Sequence, residues 1–280
     1  MTTRAATSYE LREQGGLRVL AWPVLDRYPV DALVTTRDGG VSAGECATLN
    51  LSFSVGDRLE RVVENRRRAA AALGAGLGDL VFATQVHGAV AQVVTSADRG
   101  RGATVPGDTV GAADALVTSD PGVVLAVLVA DCVPIVLYDP RAQVLACVHA
   151  GWRGTVAGAA GAALAAMQAL GARPGDVLAG LGPAIGPDRY QVGAEVADAA
   201  RDAFGAQPFL RPDGTGAWLF DLWAANRFVL CEAGVADRRI HLAAVPTGPE
   251  PGLFFSDRTA RPCGRFAALA RLRPRDGESA

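Results

Sequence analysis

Blocks of apolar residues, broken by glycine, proline and charge, punctuate the chain from residue 30 onward. VDALVTTR at 30–37 predicts a strand that runs into the glycine-rich turn DGGVSAGE. DRLERVVENRRRAAAAL at 57–73 predicts a helix, with apolar and small residues recurring between arginines and Asp57 as the candidate cap. LVFATQVHG and AVAQVV, within 80–94, predict two short strands joined at His87-Gly88. Residues 96–112 have the composition of a loop. ADALVTS, VVLAVLVADC, PIVLYDP and VLACVHAG then follow in quick succession and predict strands. GTVAGAAGAALAAMQALG at 154–171 predicts one alanine-rich helix closed by Gly171. VLAGLGPAIG predicts a strand entering a Gly-Pro loop, and EVADAARDAFG and LWAANRFVLCEAG predict helices. IHLAAVP predicts a short strand and RFAALARL a strand or edge element. Polar composition predicts loose ends, over about residues 1–15 and over 273–280.

Strands cluster in the middle of the chain, and helices interleave without a regular strand–helix–strand rhythm. The pattern predicts an α/β fold, a sandwich with a mixed sheet and packed helices, not a doubly wound parallel fold. No repeat period and no linker-like boundary divides residues 1–280, so a single domain is expected.

Composition narrows the classes of function. Half of the 280 residues are hydrophobic and a fifth are charged, enough for a sizeable core. The formal net charge of −2 gives no global field toward nucleic acid or a membrane. Every basic side chain is arginine; the absence of lysine excludes a P-loop lysine and a lysine Schiff base. The longest apolar run, VVLAVLVA at 123–130, is far too short to span a bilayer. The N-terminal stretch lacks the apolar segment of a signal peptide. Cysteines at 46, 132, 147, 231 and 263 are odd in number and widely spaced, with no CxxC. A cytoplasmic protein with reduced thiols is therefore expected, and a monomer is the expected assembly.

Candidate chemistry sits at the ends of the predicted strands. His87 ends an apolar run just before a glycine, Cys132 follows Asp131 at the end of the longest run, and His149 precedes AGWRG. Strand ends beside glycine-containing turns are where sites usually form. Two imidazoles and a thiolate suit zinc with an open fourth position. The spacings match no local zinc motif, and a buried thiol with two satisfied histidines is the ordinary alternative. A second reading pairs Cys132 as nucleophile with His149 as base, because the strands that carry them flank the short turn YDPRAQ and should be antiparallel neighbours. Arg37, before Gly39-Gly40, could offer a guanidinium beside exposed backbone N–H groups to a phosphate or carboxylate. Asn50, between two leucines, needs partners whether its role is structural or functional. Trp152-Arg153 could supply a stacking face and an anion contact, or simply pack and snorkel.

Taken in order, TTRDGGVS, LNLSFSVGD, TQVHG, ADALVT, ADCVPIVL, VHAGWRG and GPAIGPDRY resemble the YfiH-like family, over about Thr35 to about Arg265. That family is described both as laccase-domain or multicopper polyphenol oxidase proteins and as zinc-containing purine nucleoside phosphorylases. The resemblance implies an α/β sandwich of family-specific topology. It implies that His87, Cys132 and His149 are the metal ligands and that Arg37 and Asn50 line the same pocket. It matches Asp131 to the Asp of the ADC motif. It also implies phosphorolysis of adenosine, inosine, guanosine and methylthioadenosine, and hydrolytic deamination of adenosine. The C-terminal stretch AAVPTGPEPGLFFSDRTARPCGRF departs from the family pattern: Phe254, Phe255, Ser256, Arg258, Gly264 and Arg265 fit, while the expected upstream Cys-Thr and paired arginines are missing.

These residues imply roles. Arg37 is the candidate phosphate clamp, since phosphate favours bidentate guanidinium contacts. For deamination, zinc lowers the pKa of bound water toward ~7, and Asp131 is the nearest carboxylate in sequence for proton shuttling. Copper is the less favoured metal, because a multicopper oxidase needs many histidines and the chain has three, His241 having no place in the ligand set. A metal-free Cys132–His149 thiol hydrolase or deamidase, and a non-enzymatic binding module, are the remaining alternatives. The expected partners are a purine nucleoside and phosphate.

Overall fold

The long apolar runs between 123 and 150 are strands covered on both sides. The computed structural model describes residues 8–248 and 252–274. In chain order its strands are β1 (Glu10–Gln14), β2 (Leu17–Ala21), β3 (Val30–Thr35), β4 (Leu80–Phe82), β5 (Ala91–Val93), β6 (Ala115–Thr118), β7 (Val124–Val129), β8 (Val133–Asp139), β9 (Val144–Ala150), β10 (Leu178–Leu181), β11 (Gln191–Val192), β12 (Leu210–Pro212), β13 (Trp218–Phe220), β14 (Ile240–Leu242) and β15 (Phe266–Leu272). The α-helices are α1 (Leu59–Ala72), α2 (Trp152–Val156), α3 (Ala159–Ala169), α4 (Ala194–Phe204) and α5 (Leu222–Glu232).

Two six-stranded sheets face each other, in the orders β1-β2-β3-β15-β7-β4 and β14-β10-β8-β9-β6-β5; a small third sheet has the order β11-β13-β12. Both large sheets are mixed, with parallel pairs β4–β7, β5–β6 and β10–β14 among antiparallel ones. The α/β sandwich with mixed pairing is as the sequence predicts, with two large sheets where one was expected. Alternation along each strand assigns the layers. Leu125 and Val127 of β7 meet Val136 and Tyr138 of β8 and Leu145 of β9 between the sheets. Val124 and Ala126 point the other way, onto Ala69 and Leu73 at the α1 face. Ile135 and Leu137 point out to the layer of Ala163, Met167 and Ala225 on α3 and α5. Each large side chain fully buried in this way contributes roughly 1.5–3 kcal/mol.

Several predicted elements are corrected by tertiary contacts. The helix expected over 154–171 is two helices, because Gly158 at φ +80° turns the chain between α2 and α3. RFAALARL is no edge: β15 lies between β3 and β7. The strands expected on either side of His87-Gly88 are not partners, since β4 lies in the first sheet and β5 in the second. Within the N-terminal stretch expected to be loose, residues 10–14 form β1 against β2, and at the other end the Arg273 amide donates to the Pro29 carbonyl at 2.9 Å. Residues 1–7 and 275–280 lie outside the described residues, as do 249–251 in the divergent C-terminal segment. Asp57 does not cap α1. Its Oδ2 accepts from Ser42 Oγ at 2.5 Å and Asn50 Nδ2 at 2.9 Å, so the carboxylate organises the preceding loop.

Helix α1 holds that loop in place. Asn65, fully buried, accepts from the Val41 amide at 2.8 Å and donates to Ser42 Oγ and the Asn50 carbonyl, each at 2.8 Å. Arg66 lies 3.9 and 4.0 Å from the ring centroids of Phe53 and Phe82 and donates to the Leu51 carbonyl at 2.8 Å. Burial lowers its pKa to about 9, which still leaves it charged at neutral pH. Asn65→Ala should lower unfolding stability by about 2–4 kcal/mol, because it strands buried loop groups without partners. Urea denaturation should show a lower midpoint with an unchanged slope.

Candidate metal and active site

The cluster forms where the chain crosses between the two large sheets. His87 lies on the crossing from β4 to β5, and Cys132 on the crossing from β7 to β8. His149 is the penultimate residue of β9 and pairs with Pro134 of β8. The β8–β9 hairpin therefore brings Cys132 and His149 to the same end, as the YDPRAQ turn predicts. One ligand atom from each of His87, Cys132 and His149 lies within 4.8 Å of the others, so the three could hold a metal ion. The imidazole centroids are 4.7 Å apart with the rings edge to face at 84°. His87 is exposed, Cys132 half-buried and His149 buried, which opens the cluster on one side.

Asp114 holds this arrangement, and residue-by-residue reading of the sequence missed it. The carboxylate is buried. It accepts from the backbone amides of His87 at 3.0 Å and Gly88 at 2.6 Å, and its Oδ1 lies 2.8 Å from His149 Nδ1. It thus fixes the turn that carries His87, where φ is +59°, and the tautomer of His149, leaving Nε2 for the cluster. Gln85 secures the same segment: its amide exchanges two 2.7 Å hydrogen bonds with the backbone of Leu128 and takes the place of a strand neighbour to β7. The available signal was a carboxylate at the head of the apolar run ADALVT, and a glutamine just before His87.

Glycine makes the cluster possible. A Cβ on Gly151 would lie 2.8 Å from Cys132 Sγ and 3.3 Å from His87 Cδ2; one on Gly154 would lie 2.9 Å from the Gly88 carbonyl. These two glycines explain the spacing in HAGWRG.

The electrostatics favour a thiolate. Burial raises the Cys132 pKa, but the charge and hydrogen bond of His149, with those of His87, outweigh it and the thiol falls well below its ordinary value. Burial opposes the charge on His149, while the Cys132 thiolate and Asp114 more than offset it and raise the imidazole. Cys147, buried on the neighbouring strand, has no such partners, and burial alone pushes its thiol far up. Tyr190 is pushed up first by burial and then by the charge of Cys132, so its phenol stays protonated within electrostatic reach of the cluster.

The other candidate residues have different surroundings from those expected. Asn50 is completely enclosed. It donates to the Ser52 carbonyl and Asp57 and accepts from the amides of Ser52 and Arg265. With that capacity used, Asn50 organises the loop. Arg37 donates through Nε and one Nη to the Ala47 carbonyl, at 3.1 and 2.8 Å, and lies 4.9 Å over the Phe255 ring. Its Nε and one Nη are thus engaged by a single carbonyl of its own loop. Asp131, at φ +87°, accepts from Thr247 Oγ1 at 2.5 Å and the Arg258 amide at 2.7 Å. Both oxygens tie the Cys132 turn to the C-terminal loop. Trp152 carries Arg153 at 4.1 Å from its ring. His241 lies on β14, outside the cluster. No described helix is long and apolar enough to cross a membrane.

The profile of a family described as multi-copper polyphenol oxidoreductase laccase matches residues 31–273. A purine nucleoside phosphorylase, YlmD, from Geobacillus stearothermophilus is 42% identical over 240 residues, 84% of this chain and 88% of that protein. A purine nucleoside phosphorylase from Deinococcus radiodurans is 39% identical over 272 residues, 94% of this chain and 96% of the other. The crystal structure of the Geobacillus YlmD superposes with a TM-score of 0.90 at 38% identity, covering 96% of this chain and all of that one.

Two outcomes follow from the geometry. Asp114→Asn should keep the fold by circular dichroism yet weaken metal binding roughly 10- to 100-fold in competition with a chelator. In metal-free protein, iodoacetamide should label Cys132 before Cys147. The labelling rate should hold as pH falls below the usual thiol range and drop only through the lowered Cys132 pKa, because the thiolate is the reactive form. Peptide mapping across a pH series reads both effects, and a rate that falls at an ordinary thiol pKa would contradict the His149 pairing.

Proposed function

The chain belongs to the family described as multi-copper polyphenol oxidoreductase laccase, and from that premise we propose that it is a purine nucleoside phosphorylase with zinc held by His87, Cys132 and His149. The observation that carries the reading is the convergence of two imidazoles and a lowered thiol within 4.8 Å, in a chain whose relatives bear that name over most of their length. The donor set fits zinc: one soft sulfur, two borderline nitrogens and an open side. Asp114 behind His149 is the outer partner that metal-bound histidines usually have. Copper oxidation is less well supported, since multicopper centres need more histidines than His87 and His149 provide.

In phosphorolysis a phosphate oxygen bonds to the anomeric carbon as the carbon–nitrogen bond to the purine breaks. The bonding electron pair leaves with the purine, which takes up a proton. Zinc held by His87, Cys132 and His149 would supply Lewis-acid chemistry at this site. Asp114 keeps His149 and the His87 turn in register throughout. The half-open cluster admits a nucleoside from one side while the sheet core excludes water from the other. Adenosine, inosine, guanosine and methylthioadenosine are the proposed substrates, with hydrolytic deamination of adenosine as a side reaction.

One observation favours a second reading. Cys132, His149 and Asp114 form a thiol–imidazole–carboxylate series, which is the arrangement of a thiol hydrolase. A single variant separates the two. The purified protein should carry about one zinc per chain by elemental mass spectrometry, and chromatography should detect adenine and ribose 1-phosphate only when phosphate is present. Cys132→Ser should lose zinc and turnover together. Full zinc with no turnover in that variant would transfer the chemistry to the thiol.

A further inference from the structure

The divergent C-terminal loop is fastened to the metal-site turn through one buried carboxylate. Asp131 is 9% exposed and immediately precedes Cys132. One of its oxygens takes the Thr247 hydroxyl and the other the Arg258 amide, 127 residues away. The backbone of Arg258 is therefore fixed relative to Cys132 by a charge-assisted hydrogen bond.

Its side chain is aligned by different contacts. The Arg258 Cζ lies 5.2 Å from the centroid of Tyr190, and one Nη donates to the Gln191 carbonyl at 3.0 Å. Tyr190 is supported behind by Phe220, stacked at 6.3 Å and 19°. Among the described residues, no carboxylate pairs with Arg258, and its Nε and other Nη have no partner. The other arginines near the site differ. Arg37 is tied to Ala47, Arg265 to Asp257, and Arg153 reaches Glu195 at 3.3 Å. Tyr190 senses the charges of Cys132, Arg258 and Asp131 together, which sets the guanidinium and the cluster in one electrostatic neighbourhood.

We propose that Arg258 contacts the anionic co-substrate, inorganic phosphate, at the mouth of the His87–Cys132–His149 cluster, and that Asp131 is the residue that positions it. The inference rests on the phosphorylase reading and reassigns its phosphate contact from Arg37. A planar guanidinium laid on an aromatic ring, with Nε and one Nη unpartnered among the described residues, matches the oxygens of phosphate. The role of Asp131 is mechanical: it holds the Arg258 backbone.

The test uses the zinc-loaded full chain. With phosphate varied at saturating adenosine, Arg258→Ala should raise the phosphate KM roughly 10- to 100-fold while the adenosine KM moves far less. Asp131→Asn should produce the same KM split, and the double variant should be little worse than either alone, as expected of residues acting through one contact. A purely structural role for Asp131 would instead lower kcat and disturb both KM values. Calorimetric titration with inorganic phosphate alone provides a readout independent of turnover. Phosphate binding by the native protein that is lost in Arg258→Ala, without nucleoside cleavage by either, would support the anion site and remove the phosphorylase reading. Turnover by the native protein with a phosphate KM unchanged within about twofold in Arg258→Ala would overturn the assignment. Neither binding nor turnover in the native protein would overturn both. If Asp131→Asn does not fold by circular dichroism, the Arg258→Ala result decides alone.

Discussion

Four central strands, β7, β8, β9 and β15, are covered on both faces, and that constraint determines where chemistry can occur. Alternate side chains of β7 enter the core between the sheets or the layer under α1, and those of β8 enter the same central core or the layer under α3 and α5. Within such strands an ionised side chain would be stranded without water, at a cost that hydrogen bonding must meet in full. The charged and metal-binding groups therefore gather at strand ends. Asp139, buried at the end of β8, uses its carboxylate on the amides of Arg141, Ala142 and Arg173. Asp131, Cys132 and His149 occupy the opposite end of the β8–β9 hairpin.

At that end the site is preorganised by backbone hydrogen bonds. Asp114 accepts from the His87 and Gly88 amides, and Gln85, two residues before His87, bonds the Leu128 backbone, so the turn is set by the chain's own groups. The absence of a Cβ at Gly151 leaves room for the Cys132 sulfur beside His87. His149 is protonated more readily and Cys132 less readily than their ordinary counterparts. Each partner thus favours the charged form of the other. A divalent cation would replace the proton in that balance, releasing it from His149 on binding.

The last strand connects this end of the molecule to the N-terminal third. β15 inserts between β3 and β7, and the loop before it reaches Asp131 and Asn50. That loop is fastened at Asp131 through Arg258 and at Asn50 through the Arg265 amide at 3.0 Å. The Leu51 amide answers by donating to the Arg265 carbonyl at 2.9 Å. The LNL segment and the FFS segment are thus two halves of one support. Variation in the C-terminal loop can alter what is fastened to Asp131, next to Cys132, while β15 keeps its place in the sheet.

Much of this was legible in the amino-acid sequence. Apolar runs and turn residues located most strands, the helices apart from the break at Gly158, and the antiparallel β8–β9 hairpin, because each depends on residues a few positions apart. Motif order pointed to His87, Cys132 and His149 as one set. The sequence did not assign β4 and β5 to different sheets or put β15 at the centre of one, since a buried strand looks the same locally whichever neighbours it has. Nor did it reveal Asp114 as the support of two histidines, Asn50 as an enclosed peg, or Arg37 as bound to its own loop. Those roles depend on hydrogen-bond partners 27 residues apart for Asp114 and His87, and 215 apart for Asn50 and Arg265. Residue type and local periodicity fix which groups are available for chemistry and which segments are buried. Only the pairing of distant strands decides which of those groups meet, and which are already committed to holding the chain together.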